Sequence, residues 1–382
     1  MKKKILYHHN YYFRILTILT VILFLYLLPI NLKGEIKNQD KPAKGESLFQ
    51  IKECWNIEEA EGNPFGSIRQ ILVSKNGLLC CLDDKFKRLY LFDKNGKFIK
   101  GFGKKGEGPG EIKQIRQARL HNAENFIAIQ DINSIHYFNW NGEYLESKPN
   151  PKQKSPILFL KKYEFITAPR SILAAQDGIA EVKQINLESG KETVITKFSM
   201  YKGGAIQNNN NSASMIAEGL TPLFELGIHE NRLYYGVSDK YVIHISGIDG
   251  KAINGFSLLR NKYSITEKEK VEPILRAAKG LAPEELLKTL AKKLPDEETY
   301  YTAIQSHKGL IFIFISKWTT DNSRQIDIFS PEGKYLYRKF IKIESGFKIE
   351  NTPLIKGNFL YLIIQNEDDE TSIRKYEIGL PG

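Results

Sequence analysis

One short turn recurs along the chain and limits what it can fold into. Glycines at positions 96, 142, 190, 250 and 333 close polar turns: Asn95-Gly96, Asn141-Gly142, Glu188-Ser189-Gly190-Lys191, Ile248-Asp249-Gly250-Lys251 and Pro331-Glu332-Gly333-Lys334. Asn-Gly between apolar runs is the strongest short-range signal for a β-hairpin, because both turn residues take a positive φ. Around the first of these turns the text reads as four short strands, starting at Ile68-Arg69-Gln70, Leu78–Asp83, Arg88–Asp93 and Lys97-Phe98-Ile99. A second copy follows as Ile115-Arg116-Gln117, Asn125–Asp131, Ile135–Asn139 and Glu143-Tyr144-Leu145.

A looser sixth copy of the turn position falls at Gly379, after Ile373–Ile378. The steps between successive glycines are 46, 48, 60, 83 and 46 residues. A four-stranded propeller blade takes about 40–50 residues, so three steps fit directly and two carry insertions. The expected fold is therefore all-β: a six-bladed β-propeller over residues 47–382 with a short helical insertion, preceded by one N-terminal hydrophobic helix. The sixth unit ends after its third strand, and Ser47–Ile57 is strand-like but belongs to no complete unit. That segment is expected to supply the missing strand and close the ring, leaving only short protected edges.

After Phe98-Ile99-Lys100-Gly101-Phe102 the chain continues Gly103-Lys104-Lys105-Gly106-Glu107-Gly108-Pro109-Gly110-Glu111. With Arg88–Lys97, this resembles the blade signature of NHL-repeat propellers: a strand, a Gly-Lys turn and a glycine-rich link to the next blade. It is similar in particular to bacterial exported six-bladed β-propeller proteins. Blade two keeps the turn without the glycine link, and later blades keep only pattern and spacing. The resemblance implies the fold and an exported location; it implies no ligand. A phosphate-cradling role for these glycines is disfavoured, because a phosphate loop opens a helix and here a strand follows.

The longer steps hold two insertions. Residues 201–220 include four consecutive asparagines, Asn208–Asn211, and read as a polar loop. Residues 264–296 read as two helices. Thr266-Glu267-Lys268-Glu269 is a capping box, and Pro283 opens the second helix at its first position. Leu286, Leu287, Leu290 and Leu294 share one face of that helix, to be laid on the propeller face or on a partner.

The N-terminus reads as an address. Met1–Lys4 is positive and Ile15–Leu28 is apolar apart from two threonines. This run is short for a span of about 20 residues, which extends over 11–30 if Arg14 snorkels. Residues 1–32 are thus a signal anchor or a signal peptide, and 33–46 a flexible tether. An anchor with its basic end cytoplasmic places the propeller in the periplasm or exterior; cleavage makes the protein secreted.

Hydrophobic residues at 42% and aromatics at 11% supply a packed core. The net charge of +11 is scattered, and four of its positive charges (Lys2, Lys3, Lys4, Arg14) precede the apolar run, so no nucleic-acid partner is expected. Cys54, Cys80 and Cys81 form no metal-binding spacing, and the histidines beyond the N-terminus form no metal pair. Neither a catalytic set, a metal nor a cofactor is expected. Arg69, Gln70, Arg116 and Gln117 recur at the start of innermost strands, where they would offer donors at the channel mouth to an anionic or carbonyl-rich ligand. The alternative is that they only tie blades together. The functional expectation is a non-enzymatic, membrane-tethered propeller that binds a protein, peptide or glycan. The alternative function is an axial-metal enzyme of the lactonase or amidating-lyase type.

Overall fold

A computed structural model describes residues 34–113, 119–123, 125–151, 157–169, 179–199, 223–277, 283–292, 295–318 and 323–380. The hydrophobic segment within residues 1–32, the candidates Arg116 and Gln117, and the insertion 201–220 lie outside them. The blades belong to one unit, Ile36–Gly382.

Six blades follow one another along the chain. In blade one, Ile68–Val73, Leu79–Asp83, Arg88–Phe92 and Phe98–Phe102 pair in sequence as an antiparallel meander. Blade two is Arg119–Ala123, Phe126–Gln130, Ser134–Phe138 and Tyr144–Pro149; blade three is Ile157–Lys161, Glu164–Thr167, Ile179–Asn186 and Glu192–Ser199. Blade four runs Phe224–His229, Arg232–Val237, Val242–Gly247 and Ala252–Leu259. Blade five runs Tyr301–His307, Leu310–Trp318, Arg324–Phe329 and Tyr335–Ile341. Blade six is assembled from both parts of the chain: Leu354–Lys356, Phe359–Asn366 and Thr371–Ile378 are completed by Ile51–Ile57, antiparallel to Thr371–Ile378. The strand that the last repeat lacks thus comes from the segment expected to supply it.

The core lies between blades. One buried apolar cluster spans blades one and two (Leu82, Leu91, Ile127, Phe138), and another spans six and one (Ile57, Leu79, Phe92, Ile373). Equivalent clusters join two to three, three to four, four to five and five to six. Middle strands are therefore covered on both faces, which is why they read as unbroken apolar runs rather than alternating ones. Cys80 and Cys81 show the consequence: Cys80 packs towards blade two, Cys81 towards blade six, and both are buried free thiols.

The turn glycines meet two demands. At 96, 142, 190, 250 and 333 the φ is positive, as the tight turn requires. At most of them there is also no room for a Cβ, because the outer strand of the preceding blade lies against the turn. A Cβ on Gly333 would stand 2.4 Å from the Phe256 ring, and one on Gly250 would stand 2.8 Å from the Ile195 carbonyl. Gly96 meets Trp55 and Ile57 of the N-terminal strand; Gly190 meets nothing within 4 Å. Beside these turns the register slips by one residue in the outer strand, as between Leu91 and Phe92 or Ile328 and Phe329. Such bulges raise the local twist.

Residues 33–46 depart from the expected flexible tether. Ile36–Gln39 adds a fifth, parallel strand to blade four, and Glu46–Leu48 does the same for blade five. Side chains hold this belt down. The Asn38 amide donates to the Ser257 and Gly333 carbonyls, each at 3.0 Å, and its oxygen accepts from the Tyr335 N–H at 3.0 Å. Asp40 accepts from Arg260 at 2.6 Å and also pairs with Arg338, which reaches Glu46 at 2.8 Å. Composition alone reads this stretch as polar linker; open sheet edges and two arginines in the propeller order it. Burial pushes the Asp40 carboxyl up, but the Arg260 and Arg338 guanidinia outweigh it and hold it below the usual range. Its contribution is complete above the ordinary carboxylate range and fades as pH falls through the lowered value.

Behind Asp40 sits a buried acid. Asp327, fully enclosed, accepts from Arg260 Nη1 (2.8 Å), Tyr241 (2.8 Å), Tyr335 (2.6 Å) and Gln325 (3.0 Å). The helical insertion also forms, as Glu267–Ala277 (α1) and Glu284–Ala291 (α2). The capping box closes with Thr266 N–H donating to Glu269 at 2.8 Å and Glu269 N–H to Thr266 Oγ1 at 3.3 Å. Leu287 is buried; the side chains of Leu286, Leu290 and Leu294 lie outside the described residues.

Two outcomes follow for chemical denaturation. Gly333→Ala and Gly250→Ala should each cost more than Gly190→Ala, which carries only the φ strain of about 1 kcal/mol. Asp327→Ala should cost about 3–5 kcal/mol, because Arg260, Tyr241, Tyr335 and Gln325 lose their shared buried acceptor and Arg260 keeps only Asp40 as an acidic partner among the described residues.

Candidate functional site

Strand direction sorts the connections onto two rims. The four strands of each blade alternate in direction, so the links from first to second and third to fourth strand share one rim. Those turns are short: Glu230–Asn231, Lys308–Gly309, Asn139–Glu143 and Ser330–Lys334. Links from second to third strand, and from an outer strand to the next inner one, share the opposite rim. The long connection 260–300 belongs there, as does the glycine link after Phe102. Long connections carried on a rigid scaffold are where binding groups concentrate.

Buried acids at the ends of second strands shape this rim. Asp83 accepts four backbone N–H groups, from Gly66 (2.8 Å), Ser67 (3.2 Å), Lys85 (3.0 Å) and Phe86 (3.1 Å). Asp131 accepts from Lys113 (2.9 Å) and Ile132 (2.6 Å). The sequence signal was present, since each acid closes an apolar second strand in consecutive repeats, but it was not singled out.

Arg69 stands at this rim, near the start of the first inner strand. Its guanidinium lies 3.9 Å from Asp84, which also pairs with Lys87 at 3.2 Å, and its carbonyl accepts from Asn351 of blade six at 3.3 Å. Gln70 pairs across to Leu82, which pairs to Leu89. In blade two the same path from Ile135 through Gln130 leads to Arg119. Gln70 therefore corresponds to Arg119 rather than to Gln117, and the described inner strand of blade two is Arg119–Ala123. Register is set by pairing with Phe126–Gln130, which the repeated Ile-Arg-Gln text does not encode.

Other polar groups of the inner strands tie blades together. Ser306 donates to the Ile228 carbonyl, Gln305 to the Pro353 carbonyl at 2.8 Å, and His307 Nε2 lies 2.8 Å from the Gly357 carbonyl. Burial lowers the His307 pKa. Among the described residues, no three His, Cys, Asp or Glu side chains gather as a metal-ligand set.

The glycine link folds back on itself. Gly108 N–H donates to Glu111 at 3.0 Å, Lys104 stands 3.3 Å from the same carboxylate, and Ile112 N–H returns to the Lys104 carbonyl at 3.0 Å. The Gly108 N–H and Lys104 hold the Glu111 carboxyl below its usual range. An open pocket of about 420 Å³ lies between the link and the end of blade one, lined by Arg88, Phe102, Lys104, Pro109 and Glu111 among others. Arg88 reaches Glu61 at 2.6 Å by crossing Gly101, where a Cβ would stand 2.3 Å from its Nε.

If Asp83 organises the rim, Asp83→Ala should destabilise the protein by about 2–4 kcal/mol, because four N–H groups lose a charged acceptor. Urea unfolding measures the cost, and amide exchange at Lys85 and Phe86 should rise with it.

Solved structures with this arrangement include a putative exported protein from Bacteroides fragilis. It is 14% identical, aligned over 91% of this chain and all of that one, with a TM-score of 0.50. A member of the duf4221 family from Bacteroides vulgatus is 12% identical over 87% of this chain and 98% of its own, with a TM-score of 0.53. Both likenesses are of fold. No curated protein matches the sequence. A family model described as "6-bladed beta-propeller" matches residues 33–224, half of the chain, and its start coincides with the belt rather than with the first blade. The chain belongs to that six-bladed β-propeller family.

Proposed function

We propose that the protein is an exported, membrane-tethered binding propeller that takes a protein, peptide or glycan on the rim carrying its long connections. The observation behind this reading is the asymmetry of the two rims. One has turns of a few residues; the other carries the 260–300 connection, the glycine link with its pocket, and Arg69. Short turns serve blade packing, as the glycine contacts show, whereas long connections exceed what closing a blade requires. The exported location draws on the basic, apolar N-terminus and on the description of the Bacteroides fragilis relative as a putative exported protein. A binding role is preferred to an axial-metal enzyme because His307, Gln305 and Ser306 are engaged in blade-to-blade bonds.

Arrayed peptides and glycans probed with the detergent-solubilised full chain test this. Exchanging Arg69 and Arg116 together for Ala should weaken binding at least tenfold. Exchanging Lys75 and Lys334, on the short-turn rim, should leave it unchanged. Undiminished binding with a lower melting temperature in the arginine variant would make those residues structural. Metal-dependent lactone hydrolysis would favour the enzyme.

A further inference from the structure

Blade two holds a grouping that neither the pocket nor the rim accounts for. Ser147, on the exposed outer strand, lies directly across from His136 on the third strand. Ser147 Oγ is 2.8 Å from His136 Nδ1. The imidazole is 10% exposed, its Nε2 has no hydrogen-bond partner, and that atom faces the buried Asp131 carboxylate at 3.8 Å. Tyr144, which packs on Gly110 of the glycine link, brings its hydroxyl 2.9 Å from Ser147 Oγ. With the ring proton on Nε2, towards Asp131, Nδ1 is the acceptor for the Ser147 hydroxyl.

The blade fold does not require this pair. Counted from the same turn, blade one has Tyr90 opposite Gly101, and blade four has His244 opposite Gly255. Histidine thus recurs without a serine, and an aromatic ring can replace it. The register slip between Tyr137 and Phe138 is what brings Ser147, rather than Glu146, opposite His136.

We propose that Ser147 is an acylatable nucleophile, with His136 as its general base and Asp131 as a positioning residue that stabilises the imidazolium. The substrate class is a carboxylic ester whose acyl group lies against Tyr144. Ser147 Oγ bonds to the acyl carbon and its proton passes to His136 Nδ1. The C–O bond to the alcohol then breaks, and the leaving oxygen takes that proton. Water, deprotonated by the same nitrogen, releases the carboxylic acid and restores the serine. The Tyr144 hydroxyl, 2.9 Å from Ser147 Oγ, is the donor assigned to the developing oxyanion. Positioning, rather than motif, identifies such a set, and triad orders differ between unrelated folds.

A fluorophosphonate probe on the full chain, read by mass spectrometry of the peptide containing Ser147, tests the assignment, with p-nitrophenyl acetate turnover as a second readout. Labelling should occur at Ser147, vanish in Ser147→Ala and fall at least a hundredfold in His136→Gln, with folding checked by circular dichroism. Tyr144→Phe should slow turnover about tenfold while leaving the melting temperature within two degrees or so. Absence of probe at Ser147 in the folded wild type overturns the proposal. So does labelling that is indifferent to His136→Gln. If His136→Gln fails to fold, Ser147→Ala and Tyr144→Phe decide alone, and turnover unchanged in both overturns it.

Discussion

Everything in this propeller depends on one antiparallel pairing, in which Ile51–Ile57 lies along Thr371–Ile378 from Ile57↔Ile373 to Ile51↔Ile378, with a register slip between Lys375 and Tyr376. Each blade is covered on both faces only if its two neighbours are present, so a ring open at one point exposes two apolar faces at once. The cluster joining blades six and one contains Ile57 beside Leu79, Phe92 and Ile373. The ring therefore closes through segments more than 300 positions apart, and loop-closure entropy opposes that step. The belt acts in the same direction, since Asn38, Asp40 and Glu46 bind blades four and five before the chain reaches blade six.

The Asp327 group shows how such a belt can be specific. A carboxylate without solvent is costly unless fully hydrogen-bonded. Here Arg260, Tyr241, Tyr335 and Gln325 all donate to it. Arg260 then presents its remaining donors to Asp40. A charge chain thus runs from the interior of blade five to the belt, and the belt seats where Asp40 can complete it.

How far the sequence was legible follows from what each feature requires locally. Gly96, Gly142, Gly250 and Gly333 could be read because turn geometry demands glycine at that place, whatever lies beyond. Their second role, leaving space for the preceding outer strand, became visible only with the blades assembled. Thr266 and Glu269 were legible as a cap because both partners lie within one turn. At the rim, the structure sets Arg69 near the loop acid Asp84, and the register of blade two comes from pairing with Phe126–Gln130 rather than from the likeness of the two Ile-Arg-Gln stretches. His136 and Ser147 are 11 positions apart and meet through a bulge, so no linear spacing points to them.

The sequence by itself determined the class of fold, the number of blades and the place where the ring closes. These follow from hairpin chemistry repeated at a fixed period, and such chemistry acts over a few residues. Only the tertiary structure decided that residues 36–48 are a belt, that one rim carries the long 260–300 connection, and which polar groups meet there. The physical reason is that an open sheet edge, a buried acid or a shifted register acquires its partner from another blade. Local text carries no record of that neighbour.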